Sequence, residues 1–321
     1  MRTLVTGGAG FIGSHLTEAL LAAGHEVTVV DDLSTGRAEN LAAVRDEPRL
    51  KTCWTSILEE ERLQELVDEV DVVYHLAAAV GVRLILDRPV DTIETNVVGT
   101  DRILRCAAKG QKKVVIASTS EVYGKNDRIP LGEQDDGVFG PTVKSRWSYA
   151  VSKAMDEFLG LAYWRDKGVS VVIVRYFNTI GPRQVGRYGM VVPRFVRQAL
   201  TGEPITVYGD GEQVRSFTDV DDTVRATVEL SLHPAAVGEV FNVGNGRAIT
   251  INELAARVKA LTASSSQIVF IPFDQAYETG FEEPRRRVPD ITKLRRTVDF
   301  VPQVDLDISL RKVIRYHRGQ A

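Results

Sequence analysis

The chain has 321 residues, 44% of them hydrophobic and 26% charged, with a formal net charge of −3. This length suits one large or two modest domains, and so small a net charge gives no general affinity for nucleic acid or a membrane surface. Cys53, Cys106 and five histidines form neither a disulfide framework nor a metal-ligand spacing. No run of roughly 18 apolar residues is present to span a bilayer, and the first residues lack the features of a secretory signal. A reduced, cytoplasmic protein without a metal is expected.

Thr3-Leu4-Val5-Thr6 is a short β-rich run, followed by Gly7-Gly8-Ala9-Gly10-Phe11-Ile12-Gly13 and a helical pattern from Ser14 to Ala23. Gly24-His25 breaks that helix, and Glu26 to Val30 reads as a second strand ending in Asp31-Asp32. Gly7, Gly10 and Gly13 have the G-x-x-G-x-x-G spacing, which lets backbone N–H groups approach a pyrophosphate at a helix N-terminus. Asp31 lies 18 residues beyond Gly13, where it accepts hydrogen bonds from a ribose diol and repels a 2′-phosphate. The glycines alone are a weak signal. With strand, helix and acid in register they predict a dinucleotide site for NAD rather than NADP.

Asp71 to Ala78 reads as a buried strand running into a small-residue loop, and a helix from about Val90 to Ala108 carries Asn96. Lys113 to Ser118 is another buried strand, ending in Thr119-Ser120-Glu121-Val122-Tyr123-Gly124, and Val169 to Arg175 is a further strand after a break at Gly168. Strands alternating with helices predict an α/β fold with a doubly wound parallel sheet of the Rossmann kind. Ligands bind beyond the carboxyl ends of such strands, so Thr119, Ser120, Glu121, Tyr149 and Lys153 are expected at one rim. Beyond this the pattern changes. Arg187 to Arg197 mixes Gly, Pro and Arg, Glu203 to Gly211 is a short strand with turns, Thr250 to Leu261 alternates as a helix, and Arg285 to Asp290 is a basic loop. The expected division is an NAD-binding domain at residues 1–175, rejoined by a stretch at about 212–245, and a smaller α/β substrate-binding domain mainly at 176–321.

Tyr149 and Lys153 are four residues apart, on one face if their segment is helical. A free tyrosine titrates at about 10, and a neighbouring ammonium lowers that value. A fall of about three units needs roughly 4 kcal/mol of charge stabilisation, which Lys153 and an oxidised nicotinamide ring together are expected to supply. The pair is then a general base for a sugar hydroxyl that loses hydride. A lone Tyr-x-x-x-Lys is common by chance, and its weight here comes from the rest of the chain.

Over essentially its full length the chain resembles the extended short-chain dehydrogenase/reductase family of NAD-dependent nucleotide-sugar epimerases, dehydratases and decarboxylases. The matching pieces are Gly7 to Gly13, Asp31 to Gly36, His75-Leu76-Ala77-Ala78, Ser118 to Gly124, Tyr149-x-x-x-Lys153 and Arg175-Tyr176-Phe177-Asn178-x-x-Gly181-Pro182-Arg183. The resemblance implies that NAD is held by Gly7, Gly10, Phe11, Ile12, Gly13, Asp31, Leu33, Ser34, Leu76, Ala77, Ala78, Asn96, Tyr149 and Lys153. It implies catalysis by Thr119, Ser120, Glu121, Tyr149 and Lys153, and binding of a UDP-sugar by Asn178, Arg215 and Arg287. It also implies a homodimer pairing the helices around Asn96–Ala108 and Tyr149–Asp166.

Thr119-Ser120-Glu121 is similar to the nucleotide-sugar glucuronate decarboxylases, the UDP-xylose synthase-like branch. Gly140-Pro141-x-x-Lys144-Ser145-Arg146-Trp147, Arg215-Ser216-Phe217-Thr218-Asp219, and Gly280-Phe281-Glu282 with Arg287 and Pro289 lean the same way. The implied chemistry begins with Tyr149 taking the proton of the 4-hydroxyl as C4 gives hydride to NAD. The resulting 4-keto uronate is a β-keto acid and loses its carboxylate through an enolate. Thr119 would bond the 4-oxygen, Ser120 hold the carboxylate, Glu121 handle a proton or water, and Arg215 neutralise enolate or diphosphate charge. Return of hydride gives a UDP-pentose, whereas early loss of NADH gives a 4-keto pentose. The competing readings are C4 epimerisation of a UDP-hexose or UDP-hexuronate, with Glu121 only shaping the pocket, and a non-catalytic NAD-sensing protein. Two stretches depart from the pattern. Thr55-Ser56-Ile57 replaces the Gly-Asp-Ile of many relatives, and Val80-Gly81-Val82-Arg83 does not match the decarboxylases. His75 reads as a packed core histidine, and Trp54, Trp147 and Trp164 as core or interface.

Overall fold

The fold is described from a computed structural model covering residues 1–81, 88–186, 190–276, 282 and 284–319. Its centre is one sheet of seven parallel strands: β1 (Arg2–Thr6), β2 (Glu26–Asp31), β3 (Leu50–Trp54), β4 (Val72–His75), β5 (Lys113–Thr119), β6 (Val171–Tyr176) and a late strand, Glu239–Val243. Their order is Glu239–Val243, β6, β5, β4, β1, β2, β3. The central strands β4, β5 and β6 carry unbroken apolar runs rich in β-branched residues, as expected of parallel strands covered on both faces. Successive side chains enter opposite cores: Val5, Val72 and Val115 join one cluster, while Leu4, Val73 and Val114 join the other.

The first cluster is completed by the helices Phe11–Ala22 and Val220–Leu232, and the second by Glu60–Asp68 and Gly99–Gly110. The helix expected from Val90 to Ala108 is interrupted. A helical turn, Pro89–Ile93, passes into a π-type turn, Glu94–Val98, before Gly99–Gly110 resumes as an α-helix. That turn places Asn96 fully inside. Such bulges alter which side chains face a site.

A further core is built from the helices Val191–Thr201, Ile251–Thr262 and Leu306–Arg318, with Val207 of the Ile205–Tyr208 strand inserted among them. The mixed Arg187–Arg197 stretch thus gives way to a regular helix, whose Val192, Phe195, Val196 and Ala199 recur on one face. Residues 187–189 lie outside the described residues. Arg286–Arg287, expected in a loop, is a short strand beside Val214–Ser216. No helix among the described residues is long and apolar enough to cross a membrane.

The strand order reverses between β1 and β4, and the crevice at this switch is where a doubly wound sheet binds its ligand. Gly7 turns the chain there with φ +71°, and a Cβ on Gly13 would lie 2.1 Å from the Gly7 carbonyl oxygen. Only glycine lets the Phe11–Ala22 helix come this close to the end of β1. Gly13→Ala is expected to cost about 1–3 kcal/mol through overpacking and to weaken NAD binding, measured by urea unfolding and by titration with the cofactor.

Candidate active site

One continuous cleft of about 730 Å³ runs from the glycine turn across the carboxyl ends of β4 and β5 to Arg287. Every residue singled out from the sequence lines it except Leu33 and Asn96. Leu33 contributes its backbone N–H to Asp31 Oδ1 at 2.9 Å. Asn96 acts as a clip: its Oδ1 accepts the Ala79 N–H at 2.9 Å and its Nδ2 donates to Ser152 Oγ at 3.0 Å. The loop after β4 is thereby fastened to the helix Ser148–Lys167.

The nucleotide end has the features that NAD needs. Asp31 ends β2, with Ala9 N–H on Oδ2 and Leu33 N–H on Oδ1, both at 2.9 Å. Burial raises its carboxyl above the ordinary range, while the Leu33 and Ala9 hydrogen bonds pull it back. Each ionised oxygen has acceptor capacity left for a ribose hydroxyl. Asn40, not foreseen from the sequence, donates to the Ala9 carbonyl at 2.8 Å and braces the turn. Thr55 and Ile57, which flank the Ser56 that stands in place of the relatives' Asp, also line this end.

At the reaction end, Thr119 closes β5 and caps a 3₁₀ turn, Ser120–Tyr123, by accepting the Glu121 N–H at 3.2 Å. The chain then returns through a second 3₁₀ turn, Ser145–Trp147, into Ser148–Lys167, which carries Tyr149 and Lys153. Tyr149 is buried. Burial and then the Glu121 charge raise its phenol above the ordinary value, and a hydrogen bond with Thr119 partly offsets them. This differs from the expectation that Lys153 would depress Tyr149. The Lys153 ammonium lies 2.7 Å from Asp156 Oδ2 on its own helix.

Glu121 is the centre of an ion cluster. Arg146 Nη2 is 2.5 Å from its Oε2, and Arg287 Nη1 bonds its Oε1. Burial alone would push the Glu121 carboxyl up, but the charges of Arg146 and Arg287 outweigh it and hold the group well below the carboxylate range. A carboxylate held ionised in this way is a weak base, which argues against the proton-handling role expected from the sequence. Arg287 therefore faces Glu121 in this structure, not an open diphosphate site. Arg146, present in the sequence only as part of the Gly140–Trp147 match, takes its role from Glu121, 25 positions away in sequence. Its spacing of three residues before Tyr149 was the available signal.

Arg215 is buried, and its guanidinium donates to the Val214 and Pro284 carbonyls, both at 2.9 Å. Asn178 Nδ2 donates to the Ser216 carbonyl at 3.1 Å. Of the late loop, Gly280 and Phe281 lie outside the described residues, as do Val82 and Arg83. Glu282 accepts the Trp147 Nε1–H at 2.8 Å.

A doubly wound sheet with a glycine cradle, an acid at the end of β2 and a Thr–Tyr pair at the next rim defines a nucleotide-cofactor enzyme. Comparison with known proteins gives the family: residues 3–244 match the NAD dependent epimerase/dehydratase family, and the chain belongs to it. It is 46% identical to a UDP-N-acetyl-alpha-D-glucosaminuronate decarboxylase of Bacillus cytotoxicus, covering 99% of this chain and 98% of the relative. It is 39% identical to UDP-glucuronic acid decarboxylase 1 of Danio rerio, covering 98% of this chain and 72% of the relative. Among solved structures, a UDP-glucuronic acid 4-epimerase from Bacillus cereus, in complex with UDP-glucuronic acid and NAD, superposes with a TM-score of 0.90 at 30% identity, covering 100% of both chains.

The depressed Glu121 carboxyl has a consequence for stability. Its contribution is fully present above the unfolded value of about 4.3 and is lost as pH falls through the folded one. Arg146→Gln brings the folded value back toward the unfolded one. The stability gap between wild type and variant is therefore expected to be widest above about pH 4.3 and to close below it, as read by urea unfolding at a series of pH values.

Proposed function

We propose that the protein is an NAD-dependent decarboxylase of a UDP-hexuronate, converting it through a 4-keto intermediate into a UDP-pentose. The observation that carries this reading is the Arg146–Glu121–Arg287 cluster beside the Thr119–Tyr149 pair. A uronate brings a second carboxylate into the cleft, and two guanidiniums sharing one Glu suit its recognition. The decarboxylase names of the relatives at 46% and 39% identity support the same choice.

Bound NAD supplies a reversible hydride acceptor at C4 and a positive charge. The chain's residues do the rest. Thr119 holds the 4-oxygen, and Tyr149 takes its proton once positive charge in the cleft offsets burial and Glu121. With C4 oxidised, the C5–C6 bond breaks, carbon dioxide leaves and the electron pair enters an enolate, which takes a proton from water at C5 before the hydride returns to C4 and the Tyr149 proton to the 4-oxygen. Arg146 and Arg287 oppose that negative charge, and Glu121 orients them. Ser120 lines the same wall. Asn178 keeps one amide N–H beyond its bond to Ser216 and, with the Arg215 charge, suits the UDP diphosphate.

A second reading concerns C2 of the sugar. The relative at 46% identity is named for the N-acetylated uronate, so the substituent there is an acetamido group as readily as a hydroxyl. A dimer also fits. Val151, Met155 and Phe158 are 44%, 44% and 66% exposed along one row of Ser148–Lys167, the apolar stripe a partner helix would cover.

A proton NMR time course with NAD and UDP-glucuronate, and separately with UDP-N-acetylglucosaminuronate, tests the reaction. Loss of a uronate with release of carbon dioxide and appearance of a pentose is expected. Inversion at C4 with every carbon kept would replace this reading with the epimerase. Tyr149→Phe should lower turnover by at least about 100-fold. Phe158→Glu should shift the mass seen by light scattering from dimer to monomer.

A further inference from the structure

The ammonium of Lys153 is 2% exposed and its partner Asp156 is 0% exposed, with 2.7 Å between Nζ and Oδ2. A charged amine this deeply buried needs an opposite charge, or it gives up its proton. Asp156 is the carboxylate in contact with it, three residues along the same helix.

Asp156 is itself supported from behind. The Ala77 N–H donates to Thr6 Oγ1 at 3.2 Å. Thr6 Oγ1 lies 2.8 Å from His75 Nδ1, and His75 Nε2 lies 3.0 Å from Thr100 Oγ1. Burial raises the Asp156 carboxyl above its ordinary value, and the Lys153 charge, the bond to Lys153 and then the Thr100 hydroxyl pull it back. His75 is neutral at working pH, because burial and then the Lys153 charge lower its pKa to about 3. It therefore has one donor and one acceptor nitrogen. The two links fit one direction: Thr6 donates to Nδ1, and Nε2–H donates to Thr100. The chain runs from the end of β1 through β4 to the Gly99–Gly110 helix and ends beside Asp156.

We propose that Asp156 is the fixed counter-ion of Lys153, keeping its ammonium charged at the buried edge of the cleft. Asp156 is a positioning residue, since it acts on the reaction through Lys153. The other charged groups around the pair are accounted for. Glu121 of the turn after β5 is taken by Arg146 and Arg287. Glu157, the next residue of the helix, is taken by Arg175 of β6 at 2.7 Å. The Gly99–Gly110 helix presents Thr100 to the pair, and the π turn presents Asn96 to Ser152.

The importance of Lys153 for turnover rests on the function proposed above, but the pairing does not, so one test leaves turnover aside. In cofactor-free Asp156→Asn the buried amine loses its counter-ion, so the folded state is expected to bind up to one proton fewer than the unfolded state. Relative to wild type, its folding equilibrium constant should rise by up to about tenfold per pH unit between about pH 6 and about pH 9. A variant with the wild-type pH dependence overturns the proposal. If Asp156→Asn does not fold, the double variant Lys153→Met/Asp156→Asn decides: it should fold, because no charge is left unpaired, and its failure to fold overturns the proposal. In turnover of the uronate, the alkaline limb of kcat/KM for Asp156→Asn should move to lower pH by about one unit or more, whereas a merely structural role would leave its position unchanged. A wild-type chain inactive on every UDP-sugar would sink the functional reading alone, and the unfolding measurement would still decide the role of Asp156.

Discussion

Glu121 is bound by two guanidiniums in a place that water barely reaches, and this contact organises the reaction end of the cleft. It joins three parts of the chain far apart in sequence: the turn after β5, the turn before Tyr149, and the short strand at Arg286–Arg287. Removing a partner from a buried ion pair costs about 3–5 kcal/mol, whereas exchanging the whole set for apolar residues is often neutral. Such a cluster is therefore a poor source of stability and a good source of fixed geometry. Because Arg287 belongs to the later part of the chain, the cluster sets where the substrate-side segments meet the sheet. Arg215 adds to this by holding the Pro284 carbonyl just before that strand, along with the Val214 carbonyl of the strand beside it.

The same economy of charge explains the resting state of Tyr149. A buried phenol beside an ionised Glu121 keeps its proton, while the nearby ammonium is paired with Asp156. In the cofactor-free site Tyr149 is thus protonated. On the proposed function, the positive charge of oxidised NAD in this cleft would shift that balance and couple proton removal to the presence of a hydride acceptor. An ionised phenolate without an acceptor would have nothing to do.

The sequence carries the parts of this arrangement that depend on local spacing. The glycine turn, the acid ending β2 and the alternation of apolar strands with helices are written within short windows, and the sheet follows them closely. Asn96 illustrates the limit. It makes the structural contact to the loop after β4 that the sequence leaves open to it, but its inward direction depends on a π turn that a regular helical period does not foresee. Glu121 was placed at the right rim, but its protonation state depends on Arg146 and Arg287, whose approach is a tertiary fact. Asp156 was within reach. The spacing rule that put Tyr149 and Lys153 on one face also puts a carboxylate three residues beyond Lys153 on that face.

The rigidity of the site bears on which reaction it suits. A C4 epimerase must let its 4-keto sugar present either face to the same hydride donor, so the pocket has to allow the ring to turn. A decarboxylase needs one pose only, with the C5–C6 bond aligned to the carbonyl π system and the carboxylate held still until it leaves. Glu121, Arg146 and Arg287 are cross-bonded and closed in, and Thr119 is committed both to its own turn and to Tyr149. A wall fixed at so many points favours the single pose. On this argument the family's shared fold and hydride chemistry are steered by the arginines that lock one carboxylate and receive another.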